Sequence, residues 1–232
     1  SMGPLASARL QVRRHVRSLR WGTSVLSPDG PWEPRHDSLG MLRAATIGMA
    51  GWFQHPTWYE PVLEDVAQSI VRSLGDRAPD GTSGSVVRRP SPYTVVSFRS
   101  GDYVPLGWEL PSEYYRRAIE MLPDRVAPVY VISDSELVAE IGSAWLARLG
   151  LDVRKLPITD EDVRVRDLQL LLDASQIIMA NSTFCWWGAV AGDLAAAGRP
   201  DSSANRFVIA PAQWIRKHPE SAVLVRSTWR SL

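Results

Sequence analysis

The chain has 232 residues, 26 Lys+Arg against 25 Asp+Glu, a net charge of +1, and is 45% hydrophobic and 22% charged. This balance excludes global disorder and the strongly basic character of a nucleic-acid-binding chain. The length predicts one large domain or two small ones, either able to bury a core. No run of about 20 apolar residues occurs, so no transmembrane helix is expected. The first twenty residues carry Arg without a continuous apolar stretch and do not read as a secretory signal. A single cysteine, Cys185, excludes an internal disulfide framework and a cysteine-rich zinc site. Together these features point to a reduced, cytoplasmic protein. Ten tryptophans is a high number for this length; they are expected mostly in the core, with sugar platforms as the other use of such side chains.

Residues 5–20 place Leu5, Ala8, Val12, Val16 and Leu19 at three- and four-residue spacings, which predicts a basic amphipathic helix. Residues 21–40 are rich in Gly, Pro, Ser and Asp and read as loop. A helix is predicted over 57–74, capped by Thr57, and residues 75–92 form the clearest linker. Beyond it the pattern changes. Strands are predicted at 93–98, 126–132, 151–156, 176–180 and 206–210, and helices at 112–121, 136–149, 165–174 and 188–197. Strands alternating with helices of this length predict βαβ units and a mainly parallel sheet. The chain is therefore expected to be α/β, with a mostly helical N-terminal region over 1–90 and a mainly parallel sheet over 91–232. Polar residues follow the strands at 99–102, 133–135 and 181–183, on the strand-end edge where ligands bind in open α/β sheets.

The turn after the first of these strands reads SFRSGDY over 97–103. Arg99 offers a bidentate fork to a phosphate and Asp102 a carboxylate to orient it or to hold a hydroxyl; the other reading is an Arg–Asp pair that fixes a Gly turn. Asp134, in SDS over 133–135, either accepts hydrogen bonds from a ligand or caps the following helix. In NSTFCWWGA over 181–189, Asn181, Ser182 and Thr183 lead into a helix whose N-terminus is suited to an anion. Asn181 also opens a glycosylation sequon, and Cys185 reads as a small buried hydrophobe rather than a nucleophile. The four histidines show no metal-ligand spacing. Asp160, Glu161 and Asp162 read as a solvated acidic loop rather than a metal site. P-loop, dinucleotide-binding and G-x-S-x-G patterns are absent.

Taken in order, these segments resemble the metal-independent fucosyltransferase superfamily, most closely the bacterial α-1,2-fucosyltransferases. VSFRSGDY looks like H-x-R-R-G-D-Y, PSEYYRRAI like P-x-x-Y-Y-x-x-A-I, and VYVISDS like a strand ending in S-D-D. The stretch RDLQLLLDASQIIMANSTFCWWGA looks like D-x-x-L-M-S…I-I-A-N-S-T-F-S-W-W-G-A, RFVIAPAQW like V-I-A-P-x-x-W, and GWFQHPTWYE like G-Y-x-Q-S-x-x-Y-F. The resemblance covers about residues 47–216. It implies a GT-B-like fold with a Rossmann-type domain over 91–232 and a reduced N-terminal part over 1–90. It also implies GDP-β-L-fucose as donor substrate, inversion at the anomeric carbon, no metal and no other cofactor, and a glycan or glycosylated small molecule as acceptor. By position it implies that Arg99 holds the donor diphosphate and Asp102 orients Arg99 or the sugar. Asp134 and Asp167 would support guanosine recognition, and Asn181, Ser182 and Thr183 would contact phosphate.

The chain departs from the pattern at Ser97, where the motif has His, at Ser100, where it has a second Arg, and at Ser135, where it has a second Asp. Nothing before residue 47 resembles the family's G-G-L-G-N-Q-type loop. These departures keep open a non-catalytic sugar-nucleotide-binding or interaction module, and leave room for a partner chain that supplies the acceptor half and for a homo-oligomer. Glu109 is the one base that suggests itself, against an ordinary loop carboxylate.

Overall fold

The computed structural model describes residues 23–26, 46–49, 59–75, 92–124, 128–154, 162–197, 206–215 and 224–232. The expected helix over 5–20, the Thr57 cap, the linker residues 76–91 and the four histidines lie outside them. The chain forms two compact units, Ser1–Val62 and Leu63–Leu232.

In the first unit, strands β1 (Thr23–Leu26) and β2 (Thr46–Met49) pair in parallel, with Thr23 opposite Thr46 and Leu26 opposite Met49. The first of these falls in the segment 21–40 that the sequence reads as loop, within a part expected to be mostly helical. Four residues are too few to show a period among Gly, Pro and Ser, and the strand is defined by its non-local partner rather than by its own pattern.

The second unit opens with helix α1 (Leu63–Gly75). It starts later than Thr57 because Pro61, which has no N–H to give, occupies a 3-10 turn at Glu60–Val62. Helix α1 packs against two later helices, α4 (Val163–Asp173) and α5 (Thr183–Ala197), so it belongs to the sheet-bearing unit although it precedes the Gly-, Pro- and Ser-rich stretch. The remaining elements in chain order are β3 (Thr94–Phe98), α2 (Ser112–Met121), β4 (Val129–Ser133) and α3 (Glu136–Arg148), then, with α4 and α5, strands β5 (Gln176–Ile178), β6 (Phe207–Ala210) and β7 (Arg230–Ser231). Of the expected strand over 151–156, the described residues 151–154 form one parallel bridge, between Val153 and Val129 at the edge of β4. Helix α5 begins earlier than expected, at Thr183, so Phe184, Cys185, Trp186 and Trp187 lie inside it.

The sheet runs β4-β3-β5-β6-β7 and all its pairings are parallel. The α/β, Rossmann-like architecture expected from the sequence is therefore present. Alternation along the strands sorts the core into two layers. Val96, Val129, Val131, Ile178 and Ile209 face α2 and α3, where they meet Tyr114, Tyr115, Ile119 and Leu146. Tyr93, Val95 and Ser97 point to the other face, where the Tyr93 hydroxyl donates to the Leu170 carbonyl of α4 at 3.0 Å. Such strands, buried on both faces, are the near-continuous apolar runs that a covered parallel sheet demands.

Local signals end the elements where the chain must turn. Ser135 caps α3, its hydroxyl accepting from the Val138 N–H at 3.4 Å. At the far end Gly150 adopts φ +83°, and the N–H groups of Gly150 and Leu151 close onto the carbonyls of Ala147 and Leu146. That Schellman arrangement brings buried Leu151 against buried Leu146. Of the six tryptophans among the described residues, Trp186, Trp214 and Trp229 are buried and Trp108, Trp145 and Trp187 are partly buried.

The close packing of α4 on α5 depends on Gly188, where an added Cβ would lie 2.7 Å from the Leu171 Cβ. Gly188→Ala is expected to destabilise the unit by about 1–3 kcal/mol, an overpacking effect, and to lower Tm by roughly 2–10 °C. Thermal unfolding followed by circular dichroism measures it; an unchanged Tm contradicts this packing.

Candidate active site

Strand β3 has β4 on one side and β5 on the other; the connection from β3 leads to β4, and that from β5 leads the opposite way, to β6. This is the topological switch point of the sheet, where the loops after β3 and β5 diverge and leave a crevice. The first loop carries Arg99, Ser100, Gly101 and Asp102, the second Asn181, Ser182 and Thr183. Strand β4 ends beside them at Asp134.

Arg99 is the centre of the charged part. Its guanidinium pairs with the Asp102 carboxylate at 2.6 Å and with Asp134 Oδ2 at 3.0 Å. It also lies 4.9 Å from the centre of the Tyr103 ring, a cation–π contact. The other Asp134 oxygen, Oδ1, accepts from the Ser100 N–H at 2.9 Å and from the Ser100 hydroxyl at 3.2 Å. Because Ser135 takes the cap of α3, Asp134 is released from the capping role that its position suggests. The Arg–Asp pair fixing a Gly turn and the exposed cation thus coexist: Gly101 has φ +30°, and the Arg99 side chain remains 31% exposed.

The second loop is tied to the first by Asn181 and Tyr103. The Tyr103 hydroxyl donates to the Asn181 carbonyl at 2.8 Å. Burial pushes that phenol above its ordinary pKa, against the opposing pull of Arg99, so it stays a neutral donor. Asn181 is 1% exposed, and its amide donates to the carbonyls of Trp108 and Trp214, each at 2.8 Å. Both donors are therefore used within the protein, and a sequon asparagine so buried is closed to glycosylation in the fold. Its Oδ1 has no hydrogen-bond partner among the described residues. Ser182 is nearly buried at the foot of α5, and its carbonyl accepts the Trp186 N–H at 2.9 Å. Thr183, the first residue of α5, is exposed.

Asp167 stands apart from Arg99 in its contacts. It sits on α4, 6% exposed, and pairs with Arg166 at 3.0 Å. Cys185, on α5, feels the charges of both Asp167 and Arg99. The Cys185 Sγ is 2.9 Å from the Ser97 Oγ, so two positions at which the chain departs from the related motifs touch each other. Glu109 is partly buried beside Trp108. Asp162 caps α4, accepting from the Arg164 N–H at 2.8 Å, while Asp160 and Glu161 lie outside the described residues. Among the described residues no group of three or more His, Cys, Asp and Glu is placed to hold a metal ion, and no helix is long and apolar enough to cross a membrane.

Sequence reasoning missed Tyr103, Trp108 and Trp214 as parts of this site. The tyrosine was visible in the SFRSGDY stretch; the two tryptophans contribute backbone carbonyls, for which side-chain identity gives no signal.

Burial moves the Cys185 thiol up to about 11, leaving it protonated and unreactive near neutral pH. Because it is the sole cysteine, thiol titration of the native protein at pH 8 is expected to give almost no fast reaction and one equivalent after unfolding. A fast native equivalent contradicts this burial.

The profile of glycosyl transferase family 11 matches residues 49–196, more than half of the chain. The match spans the turn after β3, the end of β4, and the β5–α5 loop, the three segments that meet in the crevice. No curated protein and no solved structure matches the chain. The segments that form the switch-point crevice are thus those that the family shares, and the chain belongs to glycosyl transferase family 11, a fucosyltransferase family.

Proposed function

We propose that the chain transfers fucose from GDP-β-L-fucose to a hydroxyl of a glycan or glycosylated small molecule, inverting the anomeric carbon without a metal. The observation that supports this most is the partly exposed guanidinium of Arg99, fixed at the switch point by carboxylates on two strand-end loops. In this reading the acceptor oxygen attacks C1 as the bond from C1 to the β-phosphate oxygen breaks. The electron pair of that bond passes to the phosphate, and the acceptor gives up its proton. Negative charge grows on the leaving diphosphate, which a preorganised cation and backbone N–H groups stabilise.

Arg99 takes the diphosphate in this account. Asp102, whose side chain is 64% exposed, shares the guanidinium in the free protein and gives way to the donor. Ser182, Thr183 and the first N–H groups of α5 face the phosphates from a helix N-terminus. Asn181 serves them indirectly: with no N–H left to offer, it sets the position of the turn. Asp167, buried on α4 and paired with Arg166, takes the nucleoside end in this reading. The acceptor side and the base belong to parts of the chain for which the site gives no residue beyond Glu109. The non-catalytic reading draws its support from the single cation left in the turn.

A transfer assay with GDP-fucose and a panel of glycan acceptors tests the proposal. Wild-type protein is expected to release GDP and to keep its rate in EDTA. Arg99→Ala is expected to lose roughly 10²–10³-fold in rate while remaining folded, the scale found for removing one transition-state charge donor. Undiminished turnover in Arg99→Ala contradicts these roles. GDP binding without turnover on any acceptor favours the binding module.

A further inference from the structure

Arg99 has two carboxylate partners, and they differ in every respect the structure shows. Asp102 lies three residues along the same turn, its side chain is 64% exposed, and it contacts only the guanidinium and its surroundings. Asp134 comes from another strand, its side chain is 19% exposed, and both its oxygens are engaged. Oδ2 meets Arg99, while Oδ1 meets the Ser100 backbone and hydroxyl, and the Ser133 hydroxyl approaches the same oxygen at 3.4 Å.

The turn is shaped around this carboxylate. A Cβ on Gly101 would stand 2.4 Å from Asp134 Oδ2, a distance that real Cβ atoms do not show, and φ at Gly101 is +30°. Glycine is thus required there twice, by its backbone and by how closely the carboxylate approaches. The residue after Asp134 adds a third indication. Ser135 caps α3, so the Asp134 carboxylate is held by the turn alone and not by the helix.

We propose that Asp134 is the positioning residue of Arg99. It clasps the guanidinium and the Ser100–Gly101 backbone in one geometry, so that an incoming diphosphate replaces the exposed Asp102 contact without Arg99 moving. This rests on the reading of Arg99 as the diphosphate cation, and it gives Asp134 a role other than contact with guanosine. A carboxylate whose two oxygens already face an arginine, a backbone N–H and a hydroxyl has little acceptor capacity left for a base edge.

The test is titration of the full chain with pyrophosphate, GDP and guanosine, for wild type and Asp134→Asn, with donor KM and kcat read separately. The asparagine keeps a neutral acceptor for Ser100 and loses the charge that holds Arg99. The expected result is that pyrophosphate and GDP weaken by the same factor, roughly tenfold or more, the size of a charge-assisted hydrogen bond. Guanosine binding is expected to be unchanged, donor KM to rise and kcat to fall. Gly101→Ala, which presses on the same oxygen, is expected to weaken pyrophosphate in the same direction, and is read in its place if Asp134→Asn does not fold. GDP weakened with pyrophosphate unaffected places Asp134 on the nucleoside and overturns the proposal. Wild-type affinities in Asp134→Asn, with only Tm lowered, make it merely structural and overturn it as well. Wild-type protein that binds pyrophosphate but not GDP removes the guanine-nucleotide reading while leaving the positioning role measurable. Wild-type protein that binds neither overturns both.

Discussion

Strand β3 lies in hydrogen-bonded register with β4 on one side and β5 on the other, and both ladders are parallel. Parallel pairing requires a crossover between successive strands and delivers every strand end to the same edge. The position of β3 then decides which loops meet. The turn after β3 stands between the end of β4 and the start of α5, so Arg99 reaches Asp134 on one side while Tyr103 reaches Asn181 on the other. Neither contact is local in sequence. If β3 lay at the edge of the sheet, one of its two neighbours would be lost, and the turn would keep its local Asp102 pair but only one of its two non-local ties.

The departures from the related motifs make more sense in space than in sequence. Ser100 and Ser135 replace an arginine and an aspartate, one cation and one anion, and they flank the same residue, Asp134. The local charge balance of the turn is therefore kept, with one guanidinium facing its carboxylates. The serine hydroxyls take neutral tasks, one bonding to the clasp and one capping a helix. Ser97 and Cys185 form the second pair, touching beneath the turn where the motifs carry His and Ser. A small hydroxyl facing a protonated thiol needs neither charge nor solvent, which suits a place this deeply buried. Substitutions paired by contact keep a site's packing intact, whereas scattered ones do not.

The second unit was largely legible in the sequence because its signals are local and strong. Runs such as YTVVSF and VYVI are too short and too apolar for surface helices, Gly150 and Ser135 mark the ends of α3, and Pro111 stands at the start of α2. Within the described part of the strand expected at 151–156, Asp152 and Arg154 turn to solvent and pair with each other at 3.0 Å, leaving only Val153 to bridge the sheet edge. Helix α5 was read too short because its start carries aromatic residues and a cysteine, poor in intrinsic helix propensity and held helical by burial instead. At the site, Arg99, Asp102 and Asp134 were legible as residues, but not the direction of each contact. Which carboxylate holds the arginine and which stays exposed depends on strand order, and so does the use of both Asn181 donors on backbone carbonyls. No spacing rule carries that information.

Hydrogen–deuterium exchange of the full chain with and without GDP asks most directly whether the donor sits at this switch point. The account predicts slower exchange in peptides covering residues 99–107 and 181–187, whose backbone N–H groups border the crevice, with little change along α3. Saturating GDP that leaves both loops unchanged, or that protects some other part of the chain alone, contradicts it.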